Sequence, residues 1–176
     1  MDKNERRYDQ AIKLLRDGLG YGDNLQLRMG LGIVYAKMGR VDDAQDQFRQ
    51  AEKLDLTNPE PLVGLAVLDE YMKKIPDAME KYREAVALDP SYVDARNRLG
   101  GMLLEAGKIA EAEEQFRAAL RWNPNAEGVL YNLSLVLDAQ KKPDEALVLL
   151  KNAHALSPDD PKITAALTAH QHTVTK

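Results

Sequence analysis

The sequence predicts an all-α solenoid in which helical hairpins stack one on the next. Four alanines, Ala44, Ala78, Ala112 and Ala146, stand 34 residues apart, and the residues around them repeat in kind. A recurrence of this length indicates a repeated supersecondary unit, because each hairpin can bury its apolar face only against a neighbour. The chain shows no strand-like alternation of apolar and polar residues. A stacked array exposes long surfaces, so the predicted function is binding.

Other columns of residues repeat with the same period as the alanines. A leucine stands 13 residues before each of these alanines, and a small residue directly follows that leucine. A bulky residue comes four positions after each alanine. The bulky column consists of Phe48, Tyr82, Phe116 and Leu150. Two antiparallel helices approach closely only where a small side chain faces a large one. The order of the columns therefore predicts tightly packed helix pairs.

These columns resemble the tetratricopeptide repeat (TPR) family, whose unit is a helix A, a tight turn and a helix B. The family has small residues at the eighth, twentieth and twenty-seventh positions of its repeat, and all of these columns are filled here. The resemblance implies a single array forming a right-handed superhelix, with no enzymatic activity. Its predicted parts are a partial repeat (helix B only) at 1–24, repeats at 25–58, 59–92, 93–126 and 127–160, and a C-terminal capping helix at 161–176.

The first helix is predicted at residues 5–19, where Tyr8, Ile12 and Leu15 recur at helical spacing. Ala11 and Leu15 match the alanine and bulky columns, so this segment is interpreted as a helix B without its helix A. A lone helix B leaves an apolar side uncovered, and Tyr8, Ile12 and Leu15 are therefore candidates for a self-association edge. Two interpretations stay open: the chain is a fragment or divergent end of a longer array, or the edge forms a homodimer.

Eight helices follow in A and B pairs, and a last helix closes the array. Gly39 and Gly107 suit the left-handed end of a helix A, and Pro76 and Pro143 suit the first turn of a helix B. The predicted helices are 25–38, 41–54, 59–72, 75–88, 93–106, 109–121, 127–140, 143–156 and 161–172.

Odd and even repeats differ at two positions. The fourth position and the A-to-B turn alternate as Arg28, Leu62, Arg96, Leu130 and as Gly39, Lys73, Gly107, Lys141. Duplication of a two-repeat unit would produce this alternation, and so would coincidence in a small sample.

The resemblance implies a binding site in the concave groove, which helix A side chains line. The predicted site combines an apolar floor with a polar node, which suits an extended or helical peptide with apolar anchors. The floor consists of Met29, Ile33, Val63, Val67, Leu104, Tyr131 and Leu135, and the node of Asn97, Arg98 and Asn132; Tyr71 is a further predicted groove residue. The family's clamp for two carboxylates is not predicted, because only Arg98 matches its pattern.

Four glycines lie on or at the end of A helices: Gly30, Gly64, Gly101 and Gly128. A glycine inside a helix costs about 1 kcal/mol relative to alanine. Either close helix packing or a ligand backbone that passes near the helix would compensate, and packing is the more common reason.

Two residues depart from the family pattern. Asp69 stands where a large apolar group is expected, so it is predicted to turn outward or pair with a nearby cation, with Tyr71 taking over the packing. Trp122 replaces the leucine that ends helix B and is predicted to lie in the core between repeats.

Composition narrows the function further. The net charge of −4 argues against binding to a phosphate backbone, so no nucleic acid partner is expected. No cysteine is present, and neither a metal site nor a cofactor is predicted. The chain is expected to be soluble and cytoplasmic, without membrane insertion. The expected function is a protein-interaction scaffold; a regulatory or targeting segment of a larger enzyme or secretion machine, and a self-associating structural unit, remain alternatives.

Overall fold

The computed structural model describes residues 3–174, and within that range it contains ten α-helices and no strand. The prediction of an all-α fold is confirmed. The helices are α1 (Lys3–Leu19), α2 (Leu25–Lys37), α3 (Val41–Leu54), α4 (Glu60–Tyr71), α5 (Ile75–Leu88), α6 (Val93–Glu105), α7 (Ile109–Trp122), α8 (Glu127–Ala139), α9 (Pro143–Leu156) and α10 (Pro161–Val174).

The chain divides into two compact units, and the division falls between Pro90 and Ser91. Unit 1 contains α1 to α5, and unit 2 contains α6 to α10. In unit 1 the hairpins α2–α3 and α4–α5 pack through α3 and α4, while α1 packs on α2. In unit 2 the hairpins α6–α7 and α8–α9 pack through α7 and α8, while α10 packs on α9. Each unit is therefore two hairpins with one additional helix.

Glycines make room for the aromatic rings at the centre of both units. A Cβ atom added to Gly32 would lie 2.4 Å from Phe48 Cε1, and one added to Gly64 would lie 2.9 Å from the same ring. In unit 2, a Cβ on Gly100 would lie 2.7 Å from Phe116 Cε1. The small and large columns of the sequence thus meet as predicted, because the ring of helix B fills the space that the glycine leaves.

All four turns between helix A and helix B have the same backbone geometry. The residue after the C-cap is left-handed in each, with φ of 72° at Gly39, 62° at Lys73, 73° at Gly107 and 62° at Lys141. The following N–H group bonds back to the carbonyl five residues earlier, as from Lys74 to Asp69 at 2.8 Å. This is the hydrogen bonding of a Schellman motif. The two predicted glycine turns are confirmed, and lysine occupies the same strained conformation in the other two.

The alternation between odd and even repeats extends to their contacts. Arg28 Nη1 donates to Gln47 Oε1 at 3.0 Å, and Arg96 Nη1 donates to Gln115 Oε1 at 3.0 Å. At the same helix A position the even repeats bury a leucine; these residues are Leu62 and Leu130. Each unit therefore contains one hairpin whose helices are joined by a hydrogen bond between side chains and one hairpin with a buried leucine at the same position.

The two departures from the repeat pattern have different outcomes. Asp69 is buried, and its Oδ2 lies 2.7 Å from Lys81 Nζ, so the predicted pairing with a cation is confirmed. Tyr71 does not take over the packing, because 69% of it is exposed.

The prediction that Trp122 lies in the core is wrong: it is 59% exposed. It occupies the last position of α7, and the residues at the same position of the other B helices are exposed as well: Leu54 at 44%, Leu88 at 43% and Leu156 at 45%.

Within the described range, no helix combines the length and the apolar composition needed to cross a membrane.

Candidate partner-binding surface

The helix A face of unit 1 exposes apolar side chains. Ile33 on α2 is 46% exposed, Val67 on α4 is 36% exposed, and Tyr71 lies one turn after Val67. Ile33 and Val67 occupy the same repeat position on two helices that contact each other, and residues four apart share a helix face. We call Ile33, Val67 and Tyr71 the apolar strip. Val63, which was predicted beside them, is half-buried.

Met29 does not belong to this surface, contrary to the prediction. It is 8% exposed and lies in the core of unit 1 together with Ile12. The reason is that α1 packs on α2 and covers this position.

The candidate self-association edge is also covered in part. Ile12 was predicted to lie on an uncovered side but is 8% exposed, so that prediction is wrong. Leu15 is half-buried against α2, where a Cβ on Gly30 would lie 3.1 Å from Leu15 Cδ2. Tyr8 is half-buried as well. The apolar residue of α1 that the structure does expose is Leu14, at 72%.

In unit 2 the polar node brings two of its predicted members into contact. Asn132 Nδ2 on α8 donates to Asn97 Oδ1 on α6 at 2.8 Å. The third member, Arg98, follows Asn97 in sequence, and its Nε lies 3.5 Å from Asp94 Oδ2 on the same helix. This hydrogen bond uses the side-chain nitrogen of Asn132 and the side-chain oxygen of Asn97. The Asn97 side-chain nitrogen and the Asn132 side-chain oxygen remain as further hydrogen-bonding groups.

The apolar residues predicted beside the node vary in burial. Leu135 on α8 is 36% exposed, and Tyr131, one turn before it, is half-buried. Leu104 on α6 is half-buried too. The helix A face of unit 2 therefore combines amide groups with a smaller apolar area than the apolar strip of unit 1 provides.

The helix A glycines have different surroundings in the two units. Gly30 and Gly64 face Leu15 and Phe48, so in unit 1 they serve packing. A Cβ on Gly101 would meet no atom within 4 Å, and one on Gly128 would meet only Asn97 Nδ2, at 3.9 Å. Helix packing therefore explains the glycines of unit 1 but not these two glycines of unit 2, which border open space.

A cavity of about 260 Å³ lies in unit 2 where α8 and α10 begin. Its lining comprises Glu127, Gly128, Tyr131, Asn132, Asp160, Lys162 and Ile163. Asp160 Oδ1 accepts hydrogen bonds from the backbone N–H groups of Lys162 at 2.7 Å and Ile163 at 3.2 Å, and so caps α10. Sequence reasoning found Tyr131 and Asn132 but missed Glu127, Asp160 and Lys162. In the sequence, an acidic residue at the start of a helix indicates only a helix cap. The cavity exists because the fold places the start of α10 beside α8, and the sequence pattern does not show this.

The carboxyl groups of Asp23, Asp55 and Glu113 have clearly lowered pKa values. The hydrogen bond from Arg28 lowers the pKa of Asp23, that from Thr57 lowers the pKa of Asp55, and that from Gln140 lowers the pKa of Glu113. All three shifts favour the charged form, whereas a general acid that works near neutral pH needs a raised pKa. These carboxylates therefore act as structural hydrogen-bond acceptors.

Among the residues that the structure describes, no group of three or more His, Cys, Asp or Glu side chains is arranged to hold a metal ion.

Several solved structures have a similar fold. MamA of Desulfovibrio magneticus RS-1 is 19% identical with a TM-score of 0.73, over 88% of this chain and 87% of that one. PilF of Pseudomonas aeruginosa is 24% identical with a TM-score of 0.75, over 96% and 71%. YrrB, described as a TPR protein with an unusual peptide-binding site, is 22% identical with a TM-score of 0.69, over 92% and 84%. At these identities the similarity concerns the fold alone.

Sequence comparison identifies the family. No curated protein sequence matches the chain significantly. The family model described as "Tetratricopeptide repeat" matches residues 4–62 and 71–133, which is more than half of the chain. The chain therefore belongs to the tetratricopeptide repeat family.

Proposed function

We propose that this protein is a non-catalytic interaction scaffold whose units bind a peptide or a partner segment on their helix A faces. The observation that carries the proposal is the ninth position of each repeat, which lies on helix A. It is an exposed apolar residue in three repeats and an open glycine in the other: Ile33, Val67, Gly101 and Leu135. A position that recurs in every repeat and keeps part of its surface exposed is available to a partner.

The two surfaces support two modes of recognition: unit 1 offers contacts for apolar side chains of a ligand, and unit 2 offers hydrogen bonds for a ligand backbone. The apolar strip of unit 1 offers three exposed side chains on two adjacent helices, which is enough to hold the apolar residues of an extended or helical segment. In unit 2 the amides of Asn97 and Asn132 give directional hydrogen bonds. Apolar area contributes most of the affinity in such sites, and a few polar groups fix the orientation.

Selection from a displayed peptide library against the whole chain, followed by fluorescence anisotropy on the selected peptides, tests this proposal. Ile33→Ser and Val67→Ser remove apolar area from exposed positions, so both should fold normally. For a peptide that binds unit 1, we expect each to weaken binding about tenfold. For a peptide that binds unit 2, the corresponding test variants are Asn97→Ala and Asn132→Ala, and each should weaken binding.

Val148→Ser is the matched control, because Val148 is a 57% exposed apolar residue on α9, a helix B. Circular dichroism should show the same unfolding temperature for the control and the test variants. Equal loss of binding in Val148→Ser and in the helix A variants would contradict the proposal.

Self-association through α1 is a second candidate, and the exposure of Leu14 is the observation that favours it. Sedimentation velocity over a range of concentrations tests it. A dimer that Leu14→Lys dissociates would support this function, and a monomer at all concentrations would exclude it.

A further inference from the structure

The cavity between α8 and α10 is lined mainly by groups that accept hydrogen bonds or attract cations. Glu127 is the first residue of α8, Asp160 caps α10, and both acidic residues belong to the lining of the cavity. Lys162 is the single cation among the lining residues. With two acids and one base, the lining residues carry a formal net charge of −1.

An anion is a poor fit for this cavity, although it lies at the start of two helices, α8 and α10. Helix N-termini attract anions through their free N–H groups and the helix dipole. Here Asp160 Oδ1 already accepts from the N–H groups of Lys162 and Ile163. An anion at the start of α10 would have to compete with Asp160 for those donors. The start of α8 has no side-chain cap, but its first residue is the acid Glu127, whose charge would repel an anion.

The remaining polar side chain also presents an acceptor. The hydrogen bond from Asn132 Nδ2 to Asn97 Oδ1 orients the Asn132 amide and leaves its carbonyl oxygen available. Tyr131 contributes an aromatic wall, and Gly128 has no side chain to block entry. Two carboxylates, an amide oxygen and an aromatic ring together match a planar group that has several donors and a positive charge.

We propose that this cavity receives the side chain of an arginine from a segment bound on the helix A face of unit 2. The guanidinium group offers five donors in one plane and stacks on aromatic rings, whereas the lysine ammonium is a compact, strongly hydrated charge. The cavity volume of about 260 Å³ suits one side chain rather than a drug-sized molecule, which needs roughly 300–1,000 Å³. This inference rests on the proposed function, because it names the chemistry of the bound partner.

A small probe tests the cavity without a partner peptide. The ¹⁵N-labelled whole chain is titrated with N-acetyl-arginine amide and, in parallel, with N-acetyl-citrulline amide, a neutral analogue of the same shape. We expect a dissociation constant on the order of 1 mM for the arginine probe, given its size. The backbone amide signals of Gly128, Tyr131 and Ile163 should shift. The citrulline probe should bind about tenfold more weakly, because it has no charge to place between the carboxylates.

Three variants separate a built site from a general negative charge. Glu127→Gln and Asp160→Asn each remove a charge from the lining, and asparagine keeps the capping of α10. Each should weaken the arginine probe about two- to fivefold. Lys162→Ala should strengthen it, since it removes a competing cation. Glu145→Gln, an exposed acid in the first turn of α9, is the matched control and should change nothing.

The outcomes distinguish this inference from the proposed function. Equal binding of the arginine and citrulline probes, shifts away from the cavity, or an equal effect of Glu145→Gln would overturn the arginine site. If peptides still bind and the helix A variants weaken them, the proposed function stands without it. Conversely, arginine-specific shifts in the cavity would support the site even if peptide selection on the helix A faces failed.

Discussion

Units 1 and 2 share their packing but differ in the surfaces that they expose. Two repeat lengths separate Gly32 from Gly100 and Phe48 from Phe116, and both pairs make the same close contact between glycine and ring. At the open positions the units diverge: Ile33 corresponds to Gly101. Packing positions are restricted because any added atom meets a neighbour, whereas open positions are free to specify a ligand. The comparison therefore separates what holds the repeats together from what could distinguish their partners.

The largest expected effect concerns an ion pair of unit 1 between the buried Asp69 and the half-buried Lys81. Asp69 and Lys81 occupy the positions at which unit 2 has Leu137 and Leu149. Lys81→Leu would leave the Asp69 carboxylate buried without a partner, so we expect a loss of about 3 kcal/mol in the free energy of unfolding. The double variant Asp69→Leu/Lys81→Leu copies the pair of unit 2 and should recover stability to the wild-type level or above.

Urea unfolding measures these free energies. The single variant Asp69→Leu completes the double-mutant cycle and gives the coupling between the two residues. A double variant as unstable as Lys81→Leu would mean that the two units pack differently at this position.

The next effect tests why glycines occupy helix A. Gly32→Ala places a methyl group 2.4 Å from the Phe48 ring, and we expect it to destabilise the protein by about 1–3 kcal/mol. Gly101→Ala meets no atom within 4 Å and should stabilise the protein by about 1 kcal/mol, because alanine favours the helix. Thermal unfolding followed by circular dichroism checks both signs. A destabilising Gly101→Ala would contradict the distinction between packing and open glycines.

A smaller effect is expected at the A-to-B turns. Lys73 and Lys141 adopt the left-handed conformation that glycine adopts at Gly39 and Gly107. Replacing either lysine by glycine relieves the contact of Cβ with the backbone, which outweighs the greater freedom of unfolded glycine. We expect a gain of about 0.5–1 kcal/mol for each substitution. Gly39→Lys is the reverse test and should lose a similar amount in urea unfolding.

The smallest effect concerns the dependence of stability on pH. The hydrogen bond from Gln140, and then that from Arg117, hold the pKa of Glu113 below its ordinary 4.5 in the folded protein. A lowered folded pKa stabilises the protein above the unfolded pKa, and this contribution disappears as the pH falls through the folded pKa.

Unit 1 has Gln45 at the corresponding position, which does not titrate. Glu113→Gln should therefore reduce the loss of stability in acid by less than about 1 kcal/mol, as measured by urea unfolding from neutral pH to below pH 4. An unchanged acid profile would mean that the hydrogen bonds of Glu113 do not contribute.

Sequence reasoning succeeded where neighbours along the chain decide the structure. The position of Gly39 at a left-handed turn follows from local backbone sterics and the end of a helical pattern. It failed where burial depends on another helix. Met29 matches a groove position in the repeat, yet α1 covers it. Trp122 belongs to a column of large apolar residues that the fold leaves exposed at the ends of the B helices. A column of the repeat describes an average environment, whereas the end helices and helix ends have fewer or different neighbours.

The sequence by itself determined the helices, the hairpins and the family, because a 34-residue period of small and large residues can be satisfied only by stacked helix pairs. Tertiary structure alone decided which side chains meet. The bond between Asn97 and Asn132 joins residues 35 positions apart, and the cavity joins Glu127 on α8 to Asp160 at the start of α10. Such contacts depend on how the helices pack in space, because the free energy of packing determines which residues face each other and local helix propensity does not.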